Sequence, residues 1–317
     1  MTKKYYAFIF PGQGSQSVGM GKELANNFPV IRETFQEADE ILQYSLSKIA
    51  WEGPATELND TANTQPALLV HSVAVLRLLE KQVTRLNPRL LAGHSMGEIS
   101  ALVAANALSF ESALRLVRAR GLLMKQAGEN TPGGMAAIIG LDIHTLEEIC
   151  SKASTGTETV QIANDNCPGQ VVISGSNKAL EKAMDSAKAA GAKKVIRLAV
   201  SIPAHSRLMQ AAASEFSEAV GQAGLADPLI PVVGNVAACP MKTAQRIKAD
   251  LQAQLTSRVR WTESIRVMGS FSIETFIEIG NGNVLTGLTK RINRHYGRYS
   301  TNTASEIEQV ISLLNEE

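Results

Sequence analysis

The chain alternates short, wholly apolar runs with longer stretches of helical periodicity, the pattern expected of strands buried on both faces beneath helices. The first run, Tyr5 to Phe10, predicts a strand that delivers the chain into Pro11-Gly12-Gln13-Gly14-Ser15-Gln16. Helical periodicity follows through roughly Val30 to Ile49, and again from Pro66 to about Leu79 after an Asn/Thr-rich loop over Asn59 to Thr64. Leu90 to Gly93 reads as another buried strand, and the Ala-rich stretch Ile99 to Leu108 as a helix thin enough to lie close on a sheet. Ser109 is a candidate N-cap for a helix that ends near Gly128. His71 sits among Leu68, Leu69, Val70 and Val73 and reads as a packed side chain.

From Gly134 the texture changes. Met135 to Ile139 predicts a strand, Thr145 to Ala153 a helix, Thr159 to Ala163 and Gln170 to Ser174 two strands, Lys178 to Ala190 a helix, and Lys193 to Ala199 a strand. That order is β-α-β-β-α-β, the ferredoxin-like arrangement. We expect an inserted small domain over residues 128–199, within a larger α/β domain built from 1–127 and 200–317. The larger domain continues with a helix over Leu208 to Val220, a strand over Ile230 to Gly234 and a helix ending near Gln254-Leu255. A strand over Thr275 to Ile279 and a helix from Val284 follow, and Lys290, Arg291, Arg294 and Arg298 read as a solvated basic face. No internal repeat or low-complexity tract is visible.

Composition narrows the class. With 317 residues, 44% hydrophobic and 19% charged, the chain can bury a large core and reads as a soluble globular protein. A net charge of +1 gives no electrostatic reason to expect nucleic acid or an anionic membrane as partner. Basic residues in Met1-Thr2-Lys3-Lys4 precede an apolar run, but Pro11-Gly12 ends it too soon for a signal peptide, and no later segment is long enough to span a bilayer. Cys150, Cys167 and Cys239 are odd in number and far apart, which argues against a disulfide framework or zinc site and for a reducing cytoplasm.

Three positions carry candidate chemistry. Ser95 lies in Gly93-His94-Ser95-Met96-Gly97, the G-x-S-x-G spacing of a strand-to-helix turn that presents a nucleophile; the pattern is short, and an ordinary Gly-Ser turn would share it. Arg120 falls inside the apolar stripe formed by Ala113, Leu116, Val117 and Met124, whereas Arg115 and Arg118 project to other faces and read as solvated. A guanidinium on a buried face needs an anion or several acceptors, either an internal carboxylate or a ligand. His205, in Ser201-Ile202-Pro203-Ala204-His205-Ser206, is the best base candidate, although a helix-capping histidine fits the same place. His94 should point away from its neighbour Ser95, His144 opens a helix of the small domain, and His295 falls in the basic terminal helix. The glycine-rich loop after the first strand is not a phosphate loop, because Ser17 replaces the third glycine of G-x-G-x-x-G and Met20 stands where a P-loop has lysine. It can still offer backbone N–H groups and the Gln13 side chain at the sheet edge.

Phe10-Pro11-Gly12-Gln13-Gly14-Ser15-Gln16, Gly93-His94-Ser95-Met96-Gly97-Glu98, Arg120-Gly121, Asn166 to Gly175 and Ile202-Pro203-Ala204-His205, taken in order, resemble the malonyl-CoA:acyl carrier protein transacylases. The similarity runs nearly end to end and includes Val259-Arg260-Trp261-Thr262 and Val284-Leu285-Thr286-Gly287-Leu288. It implies an α/β-hydrolase-like large domain interrupted by a ferredoxin-like small one. It also implies a dyad of Ser95 and His205 with no acidic third member, and an oxyanion hole at the backbone N–H groups of Gln13 and Met96. Gln254 matches the residue whose backbone carbonyl orients the histidine, Arg120 the partner of the malonyl carboxylate, and Asn166 falls among the acyl or CoA contacts. Three departures stand out. Met96 replaces the usual leucine; Asn281 and Asn283 replace a proline and a common basic residue, which should loosen that loop; and Ala204 weakens the expected exclusion of methylated malonyl groups.

The resemblance implies a two-step transfer from malonyl-CoA, a cosubstrate, to the phosphopantetheine thiol of an acyl carrier protein, with no metal or other cofactor and with a monomer expected. The nearest alternative is a serine esterase or acyl-carrier hydrolase, which would share Ser95 and His205 but has no use for Arg120. A carrier-binding protein without activity is the other, against which the intact Ser95 and His205 speak.

Overall fold

The computed structural model of the chain describes residues 5–316; Met1–Lys4, with the basic residues discussed above, and Glu317 lie outside that range. The strands in chain order are β1 (Tyr5–Phe10), β2 (Leu90–Gly93), β3 (Gly133–Ile139), β4 (Val160–Cys167), β5 (Gln170–Ser176), β6 (Lys194–Arg197), β7 (Val232–Val233), β8 (Pro240–Met241), β9 (Ile273–Glu278) and β10 (Gly297–Ser300). Six of them form one sheet in the order β10-β9-β1-β2-β7-β8, parallel throughout except for the short edge strand β8. Its central strands are wholly apolar because helices cover both faces: Phe8, Phe10 and Leu91 face one core, Ala7, Ile9 and Ala92 the other. This is the α/β-hydrolase-like part of the fold.

The remaining strands form an antiparallel sheet in the order β4-β5-β3-β6, with helices Ile143–Ala153 and Asn177–Ala189 as its two crossovers. That is the ferredoxin-like topology, and it packs a core of its own around Ile138, Leu146, Ile173 and Leu180. The two parts meet where the Val259 carbonyl accepts from the Asp165 N–H at 2.9 Å and the Val259 N–H donates to the Ala163 carbonyl at 2.8 Å.

Several elements differ from their sequence readings, each for a local reason. The single helix read over Val30 to Ile49 is two, Pro29–Leu42 and Leu46–Glu52, broken at Gln43 in a left-handed conformation (φ 60°). Both pack on the helix Thr61–Gln82, so the apolar rhythm runs on across the break. That helix starts five residues before Pro66, capped by the Asp60 side chain, which accepts from the Ala62 N–H at 3.0 Å. Proline is tolerated inside it because the carbonyl it leaves free, that of Ala62, accepts from Arg118 Nη1 at 2.6 Å. Arg118 is therefore not a solvated residue: it also donates to Asn63 Oδ1 and lies 4.9 Å over the Tyr44 ring. Arg115, by contrast, is exposed and pairs only with Glu111 one turn away. At the C-terminal end, β10 and the helix Ala304–Asn315 escape the sequence reading. His295 lies in the turn before β10 rather than in a helix, and Arg298 is half-buried within that strand. Among the described residues no helix is long and apolar enough to cross a membrane.

Candidate active site

Strands β1, β2 and β7 are neighbours running the same way, so the loops that follow them converge at one end of the sheet, where open α/β sheets bind ligands. After β2 the chain turns through His94, Ser95 and Met96 into the helix Gly97–Ala104. Ser95 takes φ 52°, a strained conformation for a residue with a side chain, and that strain lifts its Oγ off the end of the strand. The turn is pressed against the loop after β1. The His94 N–H donates to the Phe10 carbonyl at 3.0 Å, and a Cβ on Gly97 would lie 2.2 Å from the Phe10 oxygen, one on Gly12 2.4 Å from the His94 oxygen. Glycine at both places is thus a steric requirement. Gly97→Ala should displace backbone on both sides of the contact, at a cost of about 1–3 kcal/mol, visible as a lower melting temperature together with slower acylation; a fully active enzyme of unchanged Tm would show that the turn can widen freely.

Ser95 Oγ lies 2.8 Å from His205 Nε2, and His205 Nδ1 lies 2.9 Å from the Gln254 carbonyl and 3.2 Å from that of Ser257. Both groups facing Nδ1 are acceptors only, so Nδ1 carries the ring proton and Nε2 presents its lone pair to the Ser95 hydroxyl. Among the described residues no carboxylate takes part in this pairing. Burial pushes the His205 imidazolium form down to a pKa of about 3, with the positive charge of Arg120 adding to the effect. The ring is therefore held neutral, ready to accept a proton.

Arg120 is 1% exposed and reaches this pair from the helix Phe110–Asn130. Its Nη2 donates to Ser95 Oγ at 3.1 Å and to Gln254 Oε1 at 2.9 Å; its Nη1 donates to Gln65 Oε1 at 2.9 Å and faces Met124 Sδ at 3.2 Å. Every one of these partners is neutral, and among the described residues no carboxylate forms an ion pair with Arg120. Burial lowers its pKa to about 10, which leaves the guanidinium charged at neutral pH. The internal salt bridge that its place on the stripe allows is not made.

The other sequence candidates fall around this centre. The N–H groups of Gln13 and Met96 have no acceptor within the chain among the described residues, and Met96 is the N-cap of the helix Gly97–Ala104, whose dipole favours negative charge there. The Gln13 side chain is occupied, its Oε1 accepting from Thr61 Oγ1 at 3.0 Å. Asn166 is buried with Oδ1 2.8 Å from His94 Nε2, and His94 stands edge-on to Trp261, its ring turned to this pair and not to Ser95. Asn281 does not loosen its loop. It is buried, and its Nδ2 donates to the Ser15 carbonyl and to Ser17 Oγ, tying the Gly280–Gly282 turn to the Gln13 loop. The amide replaces the rigidity of a proline with two hydrogen bonds.

A family model described as the acyl transferase domain matches residues 7–308. The chain belongs to this family. Malonyl CoA-acyl carrier protein transacylases of Bacillus subtilis and Salmonella typhimurium are 46% and 44% identical to it, over 98% and 97% of both chains. Among solved structures, a malonyl-transacylase in complex with a type II PKS acyl-carrier protein superposes with a TM-score of 0.95 at 42% identity, covering 98% of this chain and all of that one. The malonyl CoA-acyl carrier protein transacylase of Coxiella burnetii does so with a TM-score of 0.95 at 41% identity and 98% coverage of each chain.

The acyl transferase site contains residues to which the sequence alone assigned no role. Asn235, just past β7, accepts from the Ser95 N–H at 2.8 Å and donates to the Gly93 carbonyl at 2.7 Å, clamping the turn on both sides. Glu98 is fully buried beneath it, and Gln65 holds Arg120 from the far side. Glu98 carried a signal of the same kind as Arg120, an ionisable residue in the otherwise small and apolar Gly97-Glu98-Ile99-Ser100-Ala101-Leu102. Asn235 carried none beyond its place after a strand.

Proposed function

We propose that this acyl transferase moves a malonyl group from malonyl-CoA to the phosphopantetheine thiol of an acyl carrier protein through an ester on Ser95. In the first half-reaction Ser95 Oγ attacks the thioester carbonyl while its proton passes to His205 Nε2. The tetrahedral oxyanion is met by the N–H groups of Gln13 and Met96, each such donor being worth about 3 kcal/mol of barrier. Collapse of the intermediate breaks the C–S bond, and CoA leaves with the proton that His205 returns. In the second half-reaction His205 takes the proton of the carrier thiol as its sulfur attacks the ester carbonyl, then gives it back to Ser95 as the serine leaves. Malonyl-CoA is a cosubstrate and no further cofactor is required, since nucleophile, base and oxyanion donors are all supplied by the chain.

The observation that carries this reading is Arg120, a buried guanidinium with neutral partners only, 3.1 Å from the nucleophile. A neutral ester offers it nothing, whereas a malonyl carboxylate supplies the missing anion at the place where the acyl group must sit. The relatives' names and the carrier-protein complex of the similar structure favour the same substrate pair. One chain supplies every group of the site, which fits a monomeric enzyme, and its three free cysteines suit the cytoplasm. The test is the acceptor. CoA release from malonyl-CoA should be fast with holo-acyl carrier protein and slow with the apo form or with water alone. Equal turnover without a carrier would identify a hydrolase.

A further inference from the structure

Beneath the catalytic turn lies a carboxyl pair that the mechanism does not use. Glu98 Oε2 accepts from Asn235 Nδ2 at 2.6 Å, from Gln254 Nε2 at 2.8 Å and from the Asn235 N–H at 3.3 Å. These partners hold the site. Asn235 accepts from the Ser95 N–H, and Gln254 donates to the Ser95 carbonyl at 3.2 Å, accepts from Arg120 and offers its own carbonyl to His205. One oxygen of Glu98 thus fixes the two residues that bracket the nucleophile, its base and the guanidinium.

The other oxygen, Oε1, is buried with no hydrogen-bond partner among the described residues, and the Asp250 carboxyl is its neighbour: Glu98 accepts from the N–H of Asn235, and Asp250 from the next two N–H groups of the same stretch. Asp250 is buried as well, and its oxygens accept from the N–H groups of Val236 at 3.1 Å and Ala237 at 2.8 Å. An ionised Glu98 would leave Oε1 a buried acceptor without a donor, next to a second carboxyl group, and a proton relieves that arrangement, as in other buried acid pairs. On Glu98 that proton turns the orphaned oxygen into a donor to Asp250 and satisfies both groups.

We propose that Glu98 works as a neutral carboxylic acid, sharing its proton with Asp250, and is the positioning residue that sets the Ser95 turn and Gln254 while leaving the charge of Arg120 uncompensated. Burial first, and the facing Asp250 second, push the Glu98 carboxyl well above the usual carboxylate range, in the direction that neutrality requires. Neutrality has a consequence for specificity. Gln254 bridges Glu98 and Arg120, donating to the first and accepting from the second, so an ionised Glu98 would be an internal anion one residue away from the guanidinium, in competition with the malonyl carboxylate. The protonated form preserves the hydrogen bonds without that competition.

The proposal rests on the acyl-Ser95 reading for its effect on rate, and its protonation claim is tested without substrate. Infrared difference spectra at neutral pH, wild type minus Glu98→Gln, should show the C=O band of a protonated carboxyl group; a carboxylate doublet in its place overturns the proposal whatever Ser95 does. Kinetically, Glu98→Gln keeps an acceptor for Asn235 and Gln254 and a donor for Asp250. Its Ser95 acylation rate should stay within about fivefold of wild type, the worth of an ordinary hydrogen bond, with an unchanged preference for malonyl over acetyl. Glu98→Ala should lose about 100-fold in kcat at little change in KM, as catalytic groups drift from their alignment. If Glu98→Ala does not fold, the Gln variant decides alone. A Gln variant that is as slow as an unaligned enzyme, or that binds malonyl groups far better than wild type, would mean that Glu98 is an anion.

Discussion

Arg120→Ala is expected to lower malonyl transfer by roughly 30-fold to several thousandfold while leaving acetyl transfer little changed or faster. The figure follows from a loss of about 2–5 kcal/mol when one partner of a buried, hydrogen-bonded charge pair is removed and the other is left desolvated. On the proposed reading the wild-type site is already set for the malonyl anion. The guanidinium is fully buried and charged, its present partners are amide oxygens, a hydroxyl and a thioether, and Ser95 Oγ is within its reach. An acetyl group has no carboxylate to lose. Arg120→Lys should rescue only partly, since an ammonium supplies charge without the planar fork that holds Gln65, Gln254 and a carboxylate together. The quantity to measure is the ratio of malonyl to acetyl transfer in each variant, with folding checked by thermal melting. An unchanged ratio in a folded Arg120→Ala protein would leave substrate choice without an explanation.

Replacing His205 with alanine should slow both half-reactions together by about 100-fold or more, because in the proposed mechanism one imidazole serves each as base and then as acid. Loss confined to the carrier-protein step would make His205 a docking residue. The native ring also predicts an unusual pH profile. An ordinary histidine is half protonated at pH 6.5, but the folded enzyme holds His205 neutral down to about pH 3. The acid limb of kcat/KM for malonyl-CoA should therefore lie well below pH 6.5. For stability the sign is the reverse of a stabilised cation: between those two values the unfolded chain binds the proton and the native one does not, so stability rises with pH across that window and is lost as pH falls through it. An acid limb centred at 6.5 would mean that the ring is solvated in solution.

Elements whose signal is local were readable in the sequence, and those defined by a distant partner were not. Tyr5 to Phe10 is a strand at the bounds its apolar run suggests, and the β-α-β-β-α-β order stands, since each depends on the periodicity of a few residues. The break at Gln43 was hidden because the two helices beside it pack on a common third, and Arg118 was misjudged because its acceptor is a carbonyl freed by Pro66, 52 residues earlier. The half-buried edge strand β10 has too weak an alternation to stand out. Within the site, Ser95, Arg120 and His205 each carried a mark, a glycine bracket, a cation on an apolar stripe and a loop histidine. What no pattern could supply was that His205 and Arg120 each come within 3.1 Å of Ser95 Oγ, or that Gln254 uses its backbone and its side chain in different contacts. Asn281 shows the converse: a departure from a family pattern reads as a loss until its new hydrogen bonds are seen.

The central claim is that Ser95 carries the acyl group between the two substrates, and intact-mass analysis after incubation with malonyl-CoA alone tests it most directly. The account predicts that the protein gains the mass of one malonyl group, that peptide mapping places it on the peptide containing Ser95, and that holo-acyl carrier protein removes it. No adduct, or an adduct on Cys150, Cys167 or Cys239, would contradict it.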